Sequence, residues 1–63
     1  MESEKILTIN GIPYKCTFFT GYNSHYYCTV YDDRDGRYLG QIADIKYYDS
    51  NIESRVSSFV NSL

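Results

Sequence analysis

The sequence contains no tryptophan, a single proline, a single histidine, two cysteines and few basic residues. Each scarcity removes a class of function. Crossing a bilayer as a helix takes roughly 20 consecutive apolar residues, and no run here approaches that length. The amino terminus, Met1-Glu2-Ser3-Glu4-Lys5, is acidic, and only Ile6-Leu7 follows before polar residues return, so it does not have the build of a secretory leader. The chain is therefore expected to be cytoplasmic. The formal net charge is −2. Lys5, Lys15, Arg34, Arg37, Lys46 and Arg55 are scattered and mostly flanked by acids, whereas a nucleic-acid module usually concentrates its cations in a patch.

Chemistry-bearing side chains are equally sparse. Two cysteines and one histidine do not form a zinc-ligand pattern, and a cytosolic setting favours free thiols at Cys16 and Cys28. Asp32, Asp33, Asp35 and Gly36 invite a calcium reading. Aligned on Gly36, however, the EF-hand loop would begin at Tyr31 and end at Ile42, where acids are required. His25 has only Ser24 beside it, and consecutive strand residues point to opposite faces, so no acid–base or nucleophilic couple forms. Sixty-three residues make one small domain, which buries only about 60% of the surface its unfolded chain exposes. Such a chain has little room for both a core and an enclosed pocket. No enzyme activity, cofactor or metal is expected.

What is present is a strong pattern of alternation. Asn10-Gly11 between Ile9 and Ile12 is the signal of a two-residue hairpin. It sets Leu7 opposite Tyr14 and Lys5 opposite Cys16. One face then carries Leu7, Ile9, Ile12, Tyr14, Cys16 and Phe18, and the other Ile6, Thr8, Pro13, Lys15, Thr17 and Phe19. The first is the predicted core face. After a turn at residues 20–24, residues 25–31 are rich in aromatic and β-branched side chains and predict a third strand. Burial favours a register with Cys16 opposite Cys28, Tyr14 opposite Val30 and Phe18 opposite Tyr26. That register puts Pro13, which lacks an N–H, toward the third strand near Tyr31, where pairing should fray.

Residues 32–36 form a second turn, and a fourth strand is expected over residues 37–42. A four-residue loop would place Leu39 on the core face; a three-residue loop with a bulge would place Ile42 there. The first is preferred. Near the carboxyl end the period changes: Ile52, Val56, Phe59, Val60 and Leu63 make the stripe of an amphipathic helix. Ser50-Asn51-Ile52-Glu53 fits a capping box at its start, with residues 43–49 as connector or strand extension. The expected class is α+β: a small antiparallel meander of three to four strands packed on one face by a carboxyl-terminal helix (ββββα). Residues 1–4 are expected as a frayed tail and residues 5–63 as one domain.

Eight tyrosines and three phenylalanines are the remaining feature. In the predicted register the face away from the helix gathers Lys15, Thr17, Phe19, His25, Tyr27, Thr29 and Tyr31, with Ile6 nearby. Three aromatics exceed what a half-solvated sheet requires. Cross-strand pairing can account for them, as can a protein-contacting or self-associating surface or a stacking platform for single-stranded nucleic acid. The contact reading makes Phe19, Tyr27 and Tyr31 anchors, with Tyr22, His25 and the acidic tip of Asp32, Asp33 and Asp35 as a polar rim. Small acidic domains of this build are common among phage and mobile-element products that block a host defence enzyme, such as a CRISPR effector. The expected function is thus a non-catalytic inhibitor or modulator that covers a surface of another protein, for example a basic nucleic-acid-handling enzyme. The alternative is a nucleic-acid-binding sheet of the integrase arm-type kind.

Overall fold

Asn10 and Gly11 adopt φ angles of 54° and 80°, the two positive values that let a two-residue turn follow the right-handed twist of its strands. In the computed structural model, which describes residues 3–63 (Tyr22 by its backbone alone), this turn joins β1 (Ser3–Ile9) to β2 (Ile12–Thr20). Ile9 pairs with Ile12, Leu7 with Tyr14 and Lys5 with Cys16, as the turn dictates. A short turn of 3₁₀ helix at Tyr22–Ser24 leads to β3 (Tyr26–Asp32) and then β4 (Arg37–Ala43). The four strands form one antiparallel sheet in the order β1-β2-β3-β4. A helix, α1 (Ile52–Asn61), completes the expected ββββα order. β1 begins at Ser3, inside the stretch expected to fray, while Met1 and Glu2 lie outside the described residues.

The β2–β3 register differs from the predicted one by two residues. Cys16 faces Val30, Phe18 faces Cys28 and Tyr14 faces Asp32. A slip of one residue would exchange the two faces of the strand, but a slip of two leaves every side chain on its own face. Burial therefore could not tell the two registers apart. Pro13 decides between them. In the observed register it lies beyond the end of β3, where its carbonyl accepts a hydrogen bond from the Asp33 N–H at 3.0 Å, and no ladder bond is lost at Tyr31.

The β3–β4 loop has four residues, 33–36, closed by the Asp32–Arg37 pair, and a bulge follows at Val30/Tyr31. The two predicted alternatives thus combine. The loop turns Leu39 toward the core, and the extra residue resets the phase so that Ile42 also faces it, opposite Cys28. Gly40 sits at this bulge because a Cβ there would lie 2.5 Å from the Phe59 ring.

The core consists of Ile9, Tyr14, Cys16, Phe18, Cys28, Val30 and Ile42 from the sheet, closed by Ile45, Ile52 and Val56. Ile52 and Val56 are the buried part of the predicted helical stripe; Phe59 and Val60 pack at its margin. Leu63 lies past the helix end and is exposed. The capping box does not form. Asn51 occupies the N-cap position, without a side-chain bond, and Ser50 falls one residue too early. The turn before it is held instead by Asp49, whose Oδ2 accepts the Lys46 N–H at 2.9 Å. Arg55 ties the helix to the sheet by donating to the carbonyls of Asp44 and Ala43 at 2.6 and 2.9 Å.

Candidate functional site

The sheet face opposite the helix is organised in cross-strand rows, because directly paired residues share a face. One row runs Ile6, Lys15, Tyr31 and Tyr38 across all four strands. The next holds Glu4, Thr17, Thr29 and Gln41, and a third holds Phe19, Tyr27 and Ala43. Two aromatic clusters are therefore separated by a polar band. Tyr31 meets Tyr38 edge-on, with ring centroids 5.8 Å apart, and the Lys15 ammonium lies 5.1 Å from the Tyr31 ring centre. Phe19 stacks on Tyr27 at 5.6 Å.

The clusters differ in how far they are already satisfied. Tyr27 lies so close over Gly21 that a Cβ there would sit 2.5 Å from the ring. With Phe19 stacked beside it, Tyr27 is a packed, half-buried residue. The Tyr31 cluster is more open: Tyr38 is 57% exposed and Ile6 52% exposed. Tyr38 was not among the residues singled out from sequence, although the preferred four-residue loop already implied its position, since a core-facing Leu39 sends Tyr38 outward.

The expected polar rim is redistributed. His25 is exposed but precedes β3, and the two-residue register shift gives its place opposite Phe19 to Tyr27. Its ring stands 6.4 Å from that of Tyr27. The Tyr22 side chain lies outside the described residues. Asp33 and Asp35 are exposed at the loop tip. Asp32 is not. It is 3% exposed on the core side of the sheet, because the register that pairs Tyr14 with Asp32 makes it the last inward-facing residue of β3. Arg34 folds back over it, donating from Nη2 to Oδ2 at 2.7 Å and from Nε and the backbone N–H to Oδ1 at 3.0 Å. These donors stabilise the carboxylate and hold its pKa down to about 2. Asp32 thus locks the loop and is withdrawn as a rim residue.

Other chemistry is limited. Cys16 and Cys28 are free, buried thiols. They lie diagonally on the core face, and the thiol–thiol hydrogen bond with Cys16, together with burial, raises the Cys28 pKa well above its ordinary value, which leaves it a poor nucleophile. No group of three or more His, Cys, Asp or Glu side chains among the described residues is placed to hold a metal ion. No helix among them is long and apolar enough to cross a membrane.

A second surface went unnoticed in the sequence. At the end of the sheet beside the connector, a cleft of about 270 Å³ is lined by Phe18, Tyr26, Ile45, Lys46, Tyr47 and Tyr48, among others. Lys46 reaches over Tyr26 at 4.9 Å, and Lys5 over Tyr47 at 4.6 Å. All three lysines of the chain therefore lie against tyrosine rings, where the ring face attracts the cation. None projects as an isolated phosphate contact. No protein family, curated protein or solved structure matches the chain in comparison.

Proposed function

We propose that this chain is a non-catalytic protein-interaction module that acts by covering a surface of another protein with the helix-free face of its sheet. The observation that carries this reading is the row Ile6, Lys15, Tyr31 and Tyr38. It crosses the whole sheet and leaves Tyr38 and Ile6 more than half exposed. Cross-strand pairing accounts for Phe19 and Tyr27, whose rings are stacked, with Tyr27 also packed over Gly21. It also joins Tyr38 to Tyr31, but it leaves that tyrosine and Ile6 more than half exposed at the two edges of one row. Tyrosine provides broad contact area with few rotors to immobilise, and interface centres are enriched in it.

Asp33 and Asp35 stand with Arg37 at the hairpin tip next to this row, while Arg34 is held by Asp32; the tip stays net negative, so the partner that suits the face is apolar at its centre and basic at its rim. An inhibitor or modulator of a basic, nucleic-acid-handling enzyme fits that description. The nucleic-acid alternative is less well supported, because the only cation in the aromatic rows is Lys15, already engaged with Tyr31.

The test is affinity capture from the native host lysate, with and without nuclease, using wild-type, Tyr31→Ala and Tyr38→Ala baits. Nuclease-resistant capture that both variants weaken by more than about 1 kcal/mol, the range of an interface hot spot, with thermal unfolding unchanged, supports the reading. Capture lost on nuclease treatment, or equal losses of binding and stability, would remove it.

A further inference from the structure

The sheet has two open edges, and they are built differently. β4 is interrupted by the bulge opposite Val30/Tyr31, with Gly40 at it. β1 is regular over its seven residues, paired without a shift to β2, and contains neither proline nor glycine. Proteins usually protect an edge of that kind with bulges, prolines or outward charge. On β1 the lysine, Lys5, is turned away, over the Tyr47 ring on the helix side, which leaves Glu4 as the strand's one exposed charge.

The hydrogen-bonding phase of this edge follows from the hairpin. The Ile9–Ile12 pair closes a two-residue turn and exchanges both backbone bonds, so bonded and non-bonded pairs alternate from there. Thr8–Pro13, Ile6–Lys15 and Glu4–Thr17 are the non-bonded pairs. The Pro13 carbonyl, which accepts from Asp33 on the β3 side, confirms the phase. The N–H and C=O groups of Glu4, Ile6 and Thr8 therefore point outward along the open edge.

We propose that this edge is a self-association site, occupied by β1 of a second copy running antiparallel about a two-fold axis at Ile6. In that register Ile6 faces Ile6, Glu4 faces Thr8 of the second copy, and Lys5 faces Leu7. The three outward-pointing residues each exchange both backbone bonds, and no like charges meet. A register centred on Glu4 opposes two carboxylates, and one centred on Thr8 runs each strand past the Asn10-Gly11 turn. The same-residue pairing makes the contact isologous. The bulged β4 edge offers no matching ladder, so association closes at two copies. The row Ile6, Lys15, Tyr31 and Tyr38 then continues through the axis into its copy, which doubles the exposed aromatic face. The inference does not depend on what that face binds.

Sedimentation equilibrium over a concentration series, with amide hydrogen exchange, tests it. Wild-type protein is expected to reach twice the monomer mass, with the Glu4, Ile6 and Thr8 amides protected only in the dimer. Ile6→Pro is expected to abolish the dimer while the monomer keeps its circular dichroism, since the N–H it removes faces outward from the sheet. Ile6→Glu serves as a second variant. Its carboxylate lies beside Lys15 within one copy but opposes its own image across the axis, and it should weaken dimerisation by about tenfold or more. Tyr38→Ala should leave the dimer intact. A wild-type protein that stays monomeric up to the concentrations used for NMR overturns the proposal. So does a dimer that survives Ile6→Pro, dissociates with Tyr38→Ala, or leaves those three amides unprotected.

Discussion

The two ends of the sheet close the same core by opposite means. At the end that carries the Asn10-Gly11 turn and the 33–36 loop, the last inward-facing residue of β3 is a carboxylate, Asp32, and closure depends on three hydrogen bonds from Arg34. At the other end, the connector after β4 turns through Asp44, at a φ of 57°. It drops Ile45, fully buried, beneath the sheet. Tyr47 then covers Phe18 edge-on at 5.7 Å, with Lys5 above its ring. The polar end is local: Asp32 and Arg34 are two residues apart, and forming their contacts orders little chain. The apolar end is long-range, joining the connector to β1 and β2. Two consequences follow: the apolar end should carry more of the stability, and the polar end should respond to acid.

The largest effect is expected at Ile45. Replacing it with alanine removes a fully buried side chain from a small core and should cost about 2–5 kcal/mol. Chemical denaturation would show this as a lower midpoint. If Ile45→Ala costs less than Asp32→Asn at neutral pH, the ranking of the two ends is reversed.

The next expected effect is at Asp32. Its folded pKa of about 2 lies below the ordinary carboxylate value. The ionised form thus contributes stability that is fully present above roughly pH 4 and is lost as pH falls through about 2. Wild-type stability should decline across that window, and Asp32→Asn should flatten the decline while lowering stability at neutral pH. Thermal unfolding from pH 2 to pH 7 measures both. Parallel acid limbs for the two proteins would show that Arg34 does not hold the carboxylate.

The polar end was harder to read from sequence than the hairpin, for a physical reason. The Asn-Gly turn fixes β1 against β2 through backbone geometry, and the faces of both strands follow from it. No such turn joins β2 to β3. There the sequence offers only burial, which is blind to a two-residue slip, and that slip moves Asp32 from the expected rim to the core side of the sheet. Pro13 held the missing information, because a residue without an N–H belongs where the neighbouring strand has ended. The aromatic face was legible for the same reason that the register was not: a shift of two preserves faces, so Tyr27 and Tyr31 point away from the helix under either alignment. The cleft at the apolar end was not legible, since Tyr47 and Tyr48 lie in an irregular connector where neither period applies. The helix itself followed from its stripe, whereas the S-x-x-E match at its start was a coincidence of composition.

The smallest effect separates charge from packing at the apolar end. Lys5 covers Tyr47 with both an apolar stem and an ammonium group, and Lys5→Met keeps most of the stem while removing the charge. If the cation–ring attraction matters at this partly exposed site, the variant should lose about 0.5–1 kcal/mol. Tyr47→Leu, which also gives up the edge-on contact with Phe18, should lose about 0.5–1.5 kcal/mol. In the double variant the two losses should sum to less than their separate values, because the same ring is counted in each. Strict additivity would mean that Lys5 and Tyr47 act independently, and that the apolar end is closed by Ile45 and Phe18 alone.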